Sequence, residues 1–173
     1  MYRCGLHRAV AGGAAVNALT PNVLRPDGLP AAPTHVLRGR CVVPGVSEGL
    51  ALVTRDPISG WGGIDSRTGT IVETRHALRG VSFAGRVLVF PGAKGSSGWS
   101  NAFHLTRSMG VAPAAMLFND MSTKIALGAV VTRAPSLTDF DQDPLSVIRT
   151  GDWVRVDADQ GWVQVFRPLE SGA

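Results

Sequence analysis

The densest run of reactive side chains is Pro91-Gly92-Ala93-Lys94-Gly95-Ser96-Ser97-Gly98-Trp99-Ser100. It sets one ammonium and three hydroxyls along a glycine-rich path. A serine acts as base, nucleophile or anion ligand only where charge on or near its oxygen is stabilised. The flanking residues suggest how that is arranged. Arg86-Val87-Leu88-Val89-Phe90 before the run reads as a buried strand. Ser100 to Met109 after it reads as a helix stopped by Gly110. A strand-to-helix corner aims backbone N–H groups and the positive helix end at one spot, which suits an anionic ligand or a developing oxyanion. The plain alternative is a tight turn, for which Gly and Ser are the usual residues. Known phosphate and nucleophile motifs do not fit. Lys94 precedes Gly95 rather than following it, so the P-loop spacing is absent. Gly95-Ser96-Ser97-Gly98 is one residue short of a nucleophile elbow.

The elements that must position this corner are many and short. Val36 to Val43 reads as one strand and Gly49 to Thr54 as a second, with Pro44-Gly45 turning between them. Asp56-Pro57-Ile58-Ser59-Gly60-Trp61-Gly62-Gly63-Ile64-Asp65 has no usable period, and Gly62-Gly63 allows close backbone approach. Trp61 reads either as a core anchor or as part of a site, and Asp65 as a turn residue rather than an acid catalyst. Thr70 to Glu73 is a further strand, and Ala114 to Phe118 one covered on both faces. Asn119 to Leu127 reads as a loop with at most a helical turn, Gly128 to Val131 as a short strand, and Leu145 to Arg149 as a short helix. Trp153 to Val156 and Trp162 to Phe166 form a closing hairpin. Its Asp157 and Asp159 lack the distal Glu of a calcium loop. The sum is a β-rich α/β domain, barrel-like or layered β/β/α.

Composition bounds the function. The 173 residues suffice for one domain with its own core, and 45% hydrophobic with 17% charged residues is globular. Net charge is +4, but Arg3, Arg8, Arg25, Arg38 and Arg40 face only Asp27 in residues 1–40, so the body is neutral. It offers no basic face, which excludes a nucleic-acid reader. Lys94 and Lys124 are the only lysines, and Cys4 and Cys41 the only cysteines. Two cysteines cannot build an iron–sulfur or zinc site alone, and their scarcity points to the reduced cytoplasm. No apolar run approaches ~18 residues, so no membrane span is expected. Residues 1–34 are interrupted by Pro21, Pro26, Pro30 and Pro33 and are expected to be a flexible N-terminal arm, with residues 35–173 forming the folded domain. Arg3 and Arg8 before a small-residue run fit a signal or transit peptide; an extension or over-called start fits at least as well.

Several short motifs together resemble a known family. They are Gly49-Leu50-Ala51-Leu52-Val53, Pro57-Ile58-Ser59-Gly60-Trp61-Gly62-Gly63-Ile64-Asp65, Gly69-Thr70-Ile71-Val72, Pro91 to Ser97, and Pro113-Ala114-Ala115. In this order they resemble the small subunit of aconitase X, a swivelling β/β/α domain similar to the fourth domain of aconitases. The resemblance spans roughly residues 36–166. It implies a dehydratase working as a pair. A large subunit is expected to hold an iron–sulfur cluster and most substrate ligands, with none of the cluster bound by this chain alone. The small subunit is expected to bring the catalytic serine, which maps onto Ser96. Lys94, Gly95, Ser97, Ser100, Gly62, Gly63 and Asp65 are the expected substrate contacts; for Ser100 a helix N-cap is the slightly favoured alternative. Family members often carry an aromatic where this chain has Gly60, which implies a larger pocket. The family's substrates are small hydroxy acids: cis-3-hydroxy-L-proline in bacteria and phosphomevalonate in archaea. The neutral body favours the former, giving 1-pyrroline-2-carboxylate; phosphomevalonate and a non-catalytic binding or regulatory domain are the alternatives. A phosphohistidine swivelling carrier would need an exposed loop histidine, and His104 falls in the expected helix.

Overall fold

The computed structural model describes residues 26–168; residues 1–25, and with them most of the expected arm, and residues 169–173 lie outside the described residues. Twelve strands and three helices are formed there. Eight strands make one sheet. In sheet order they are β1 (His35–Arg38), β12 (Trp162–Phe166), β11 (Trp153–Asp157), β3 (Val46–Val53), β7 (Val87–Phe90), β9 (Ala115–Phe118), β10 (Ser136–Thr138) and β2 (Arg40–Val43). The centre, β3-β7-β9-β10, is parallel, and both flanks are antiparallel.

The two outermost strands of that order are consecutive in the chain and separated only by Gly39. The sheet therefore curls until its edges meet at this residue, which removes most exposed edge. Gly39 is required there: a Cβ would stand 2.8 Å from the Phe140 ring. One continuous strand over residues 36–43 was expected. The chain instead bends at Gly39, because β1 pairs with β12 while β2 pairs with β10 at the opposite end of the sheet. Thr34 is stitched to the sheet as well, its N–H and hydroxyl both donating to the Val165 carbonyl at 2.7 and 3.0 Å.

Alternation along β7 and β9 splits the core in two. Val87, Val89, Ala115 and Leu117 face the closed side with Val154, Val156, Val163 and Val165. Leu88, Phe90, Met116 and Phe118 face the other side, under α1 (Trp99–Ser108) and α2 (Thr123–Thr132). All four residues of each strand are buried, as a run covered on both faces requires.

The helix α2 replaces the expected strand at Gly128 to Val131. β-Branched residues and a glycine give this stretch weak helix propensity. Tertiary packing overrides it: Ile125, Gly128, Ala129 and Thr132 are buried at helical spacing against α1. Gly128 meets the Trp99 ring, where a Cβ would stand 2.1 Å from Cζ3. Arg133 ends the helix in the left-handed region (φ 56°), its N–H reaching the Ala129 and Val130 carbonyls. The strand lies instead just beyond, as β10. A short α3 (Pro144–Val147) is capped by Asp143, whose carboxylate accepts from the Leu145 N–H at 3.0 Å.

Candidate functional site

Two short strands carry the site outward. β4 (Ile58–Ser59) and β8 (Ala93–Lys94) pair in parallel, Ile58 with Ala93 and Ser59 with Lys94. Two glycine-rich loops leave this pair side by side: residues 60–63 after β4 and residues 95–98 after β8. The second loop runs straight into α1, so the strand-to-helix corner is present as expected. Gly95 takes φ 84°, a conformation an L side chain rarely adopts, and turns the chain between β8 and the serines.

Trp99 anchors the corner from beneath. It is fully buried, its Nε1–H donates to the Ile58 carbonyl at 2.9 Å, and its ring stacks on Phe103 with centroids 4.0 Å apart. Phe90 and Phe83 extend the aromatic layer. Of the two readings left open for Trp61, the core anchor is excluded: that role falls to Trp99, and Trp61 itself is 73% exposed. The reason is the backbone beneath it. A Cβ on Gly60 would stand 2.5 Å from Trp99 Cα, so the chain passes at contact distance and must turn outward. The N–H groups of Gly63 and Ile64 close that turn on the Gly60 carbonyl at 3.3 and 3.2 Å. The same contact corrects the larger pocket expected from Gly60: the space is filled by the Trp99 backbone.

Three expected residues, Gly95, Ser97 and Ser100, line one open cleft of about 380 Å³. Its other wall was not foreseen: Ser122, Thr123, Lys124 and Leu127 from the start of α2. Two helix N-termini therefore converge on it, and neither first turn holds an acidic residue. Lys124 donates from Nζ to the Gly95 carbonyl at 2.7 Å, tying α2 to the serine loop. The N–H groups of Ser97, Gly98, Thr123 and Lys124 have no acceptor among the described residues, and the buried hydroxyl of Ser122 has no partner. Such a cleft is receptive to an anion. Ser100 is not the N-cap, which is Gly98; it is buried in the first turn and donates to the Ser97 carbonyl at 3.2 Å. Lys124 was missed because α2 was read as loop and strand. Its rarity as one of two lysines, following Ser122-Thr123, was the available signal.

The remaining expected residues lie outside the cleft. Ser96 is exposed on the loop, and its hydroxyl lies against Gly98, 3.4 Å from where a Cβ would stand there. Lys94 is paired with Glu73, Nζ to Oε1 2.6 Å, while the other Glu73 oxygen is buried with no partner. Gly62 is exposed with φ 75°. Gly63 is buried and its carbonyl accepts the Val72 and Glu73 N–H groups. Asp65 spends its carboxylate within its own turn, accepting from the Arg67 N–H and the Thr68 hydroxyl, each at 3.0 Å. Those two hydrogen bonds hold its pKa below the usual 3.8. Among the described residues no group of three His, Cys, Asp or Glu side chains could hold a metal ion, so these residues do not offer the donors of an iron–sulfur cluster. No described helix is long and apolar enough to cross a membrane.

A sheet closed on itself, two helices over one face and a serine corner at their joint N-terminal end define a swivelling β/β/α domain. Comparison with known proteins makes the family explicit. The family model of the aconitase X swivel domain matches residues 36–165, and the chain belongs to that family. It is 36% identical over 135 residues to the phosphomevalonate dehydratase small subunit of Methanosarcina acetivorans, covering 78% of this chain and 94% of the relative. Against the phosphomevalonate dehydratase small subunit of Archaeoglobus fulgidus it is 43% identical over 127 residues, covering 73% and 96%. The crystal structure of Thermococcus kodakaraensis aconitase X in its holo-form superposes with a TM-score of 0.73 at 37% identity, covering 77% of this chain and 99% of that one.

Proposed function

We propose that this chain is the small subunit of a two-subunit dehydratase whose substrate is phosphomevalonate. The naming of its relatives supports this reading over cis-3-hydroxy-L-proline. The observation that carries it is the cleft at the two helix N-termini, with Lys124 as its cation. A phosphate dianion needs several donors in a cation-bearing recess. The neutral body argued against such a site, but backbone N–H groups and helix ends add positive potential that formal charge does not count.

In the reaction, a β-hydroxy acid loses the proton α to its carboxylate and its β-hydroxyl; a carbon–carbon double bond forms and water is released. Ser96 is the proton acceptor. Its oxygen needs stabilisation as an alkoxide, which the free N–H groups of Ser97 and Gly98 and the α1 N-terminus supply. Lys94 contributes as a strut, since Glu73 holds it. Ser97, Ser100 and Lys124 bind the substrate anion. The large subunit supplies the cluster and the remaining substrate contacts, so the isolated small subunit is inactive.

The test is kinetics of the reconstituted pair with both substrates, at matched cluster content. Phosphomevalonate should give the higher kcat/KM. Ser96→Ala should lower kcat by roughly 10²–10⁴ with Tm unchanged, the usual cost of a lost positioned base. Lys124→Met should chiefly raise KM for phosphomevalonate by about tenfold or more, the worth of a charged hydrogen bond. A pair that prefers cis-3-hydroxy-L-proline, or keeps full turnover without the Ser96 hydroxyl, refutes the reading.

A further inference from the structure

Among the described residues Trp61 is the most exposed of the large apolar side chains, and its neighbours Gly60 and Gly63 are both packed and hydrogen-bonded. Gly60 is packed on Trp99 and accepts two N–H groups. Gly63 is so close to Ser59 that a Cβ would stand 2.3 Å from its carbonyl oxygen, and the Gly63 carbonyl accepts Val72 and Glu73. The indole is thus presented to solvent from a turn held on both sides by packed, hydrogen-bonded glycines. Leaving such a side chain in water wastes a large apolar area, while a rigid aromatic loses little entropy when a partner covers it.

Its position says what covers it. The Trp61 loop and the Ser96 loop leave the paired strands β4 and β8 together. Trp61 Cβ lies 3.8 Å, and Ser96 Oγ 3.4 Å, from the same point, the place a Cβ on Gly98 would occupy. A partner that closes over Ser96 would therefore meet the Trp61 side chain as well. Val72, whose N–H bonds the Gly63 carbonyl, is also exposed and extends the apolar surface.

We propose that Trp61 is the docking anchor for the large subunit, inserting into an apolar pocket on it beside the reacting serine. This rests on the two-subunit reading above. The occupant is the large subunit because the surface around Ser96 must close against the subunit that carries the rest of the active site. The indole would then do two jobs from one loop: hold the pair together and keep bulk water from the Ser96 oxygen.

Pairing is measured by titrating the purified chain with the cluster-loaded large subunit of the same source, without substrate. Trp61→Ala should weaken Kd about 30-fold or more, as expected for a central aromatic anchor. Trp61→Phe should recover part of that loss. Tm of the isolated variant should stay within about 2 °C of the parent, because the indole makes little contact in the free chain. Of the other three tryptophans, Trp99 and Trp153 are buried and Trp162 is half-buried under Arg155, so pairing should also shift tryptophan emission to the blue in the parent and much less in Trp61→Phe. A Kd within about threefold of the parent overturns the proposal, whether KM is normal or raised; failure of the parent chain to bind the large subunit overturns it too. Substrate choice plays no part in this readout, so a wrong substrate assignment leaves it standing.

Discussion

Replacing Gly128 by Ala pits two effects of known size against each other. Gly128 sits inside α2, where Ala would ordinarily gain about 1 kcal/mol in helix propensity. Its new Cβ, however, would stand 2.1 Å from Trp99 Cζ3 and 2.5 Å from Cε3. Ordinary carbon contacts are about 3.5–4.0 Å, so ring or helix must shift by more than an ångström. The ring cannot give cheaply, since it is held by the 2.9 Å bond to the Ile58 carbonyl and the 4.0 Å stack on Phe103. Overpacking of this kind costs about 1–3 kcal/mol, and a strained buried hydrogen bond adds about 1 kcal/mol. The net is a destabilisation of about 1–3 kcal/mol, or a fall in Tm of about 3–10 °C for a domain of this size. Thermal and urea unfolding of parent and variant measure it directly. The affinity for a phosphorylated ligand should fall in parallel, because the displaced Trp99 opens α1 and the serine loop. A variant with equal or higher Tm refutes the claim that Gly128 is present for contact with Trp99.

Two further substitutions test the framework around the site. Asp152 is 3% exposed, pairs with Arg167 at 2.8 Å and caps the Arg149 N–H, so Asp152→Ala should destabilise the domain by about 3 kcal/mol or more in chemical denaturation; a loss below about 1 kcal/mol would show the pair to be incidental. The side-chain bond from Asn119, then that from Ser146, holds the Asp143 pKa below its usual 3.8. A depressed carboxylate stabilises the fold above the unfolded pKa and loses that contribution as pH falls through the folded one. Tm should therefore drop on acidification below about pH 4, and Asp143→Asn should flatten that limb; an identical acid limb in the variant would place the titration elsewhere.

How much was readable beforehand depended on whether local and tertiary signals agreed. β7, β9 and the β11–β12 hairpin announce themselves because apolar runs and turn residues coincide with the pairing they adopt. The serine corner was legible for the same reason, strand then glycine then helix. α2 was not, because valines and a glycine argue locally for a strand while the contact with Trp99 decides for a helix. That single misreading hid half of the cleft, since a loop at residues 119–127 gives no N-terminus and no reason to weigh Lys124. Trp61 was left open between core and site, because an aromatic residue type alone does not decide burial; its 73% exposure removes the core reading. The bend at Gly39 was passed over because the apolar residues on either side of Arg38-Gly39-Arg40 read as one strand, and only the pairing of the two halves at opposite ends of the sheet shows the glycine to be a break.

The two lysines illustrate how placement, rather than residue type, assigns chemistry. Lys94 adjoins the serines in sequence, and Lys124 lies about thirty residues away in chain terms. In space Lys94 is neutralised by Glu73, whose second oxygen is buried and unpartnered and so depends on that one cation. Moving Lys94 towards a substrate would leave the half-buried Glu73 carboxylate without that cation. Lys124 carries no such obligation. Its single recorded partner is the neutral Gly95 carbonyl, which leaves its charge uncompensated at the cleft and two donors to direct there. The same bond fixes the Gly95 peptide, whose far side carries the Ser96 N–H, so the cation at the anion cleft also sets the start of the serine loop. Binding at one wall of the cleft would thereby be mechanically linked to the orientation of Ser96, the serine proposed to react.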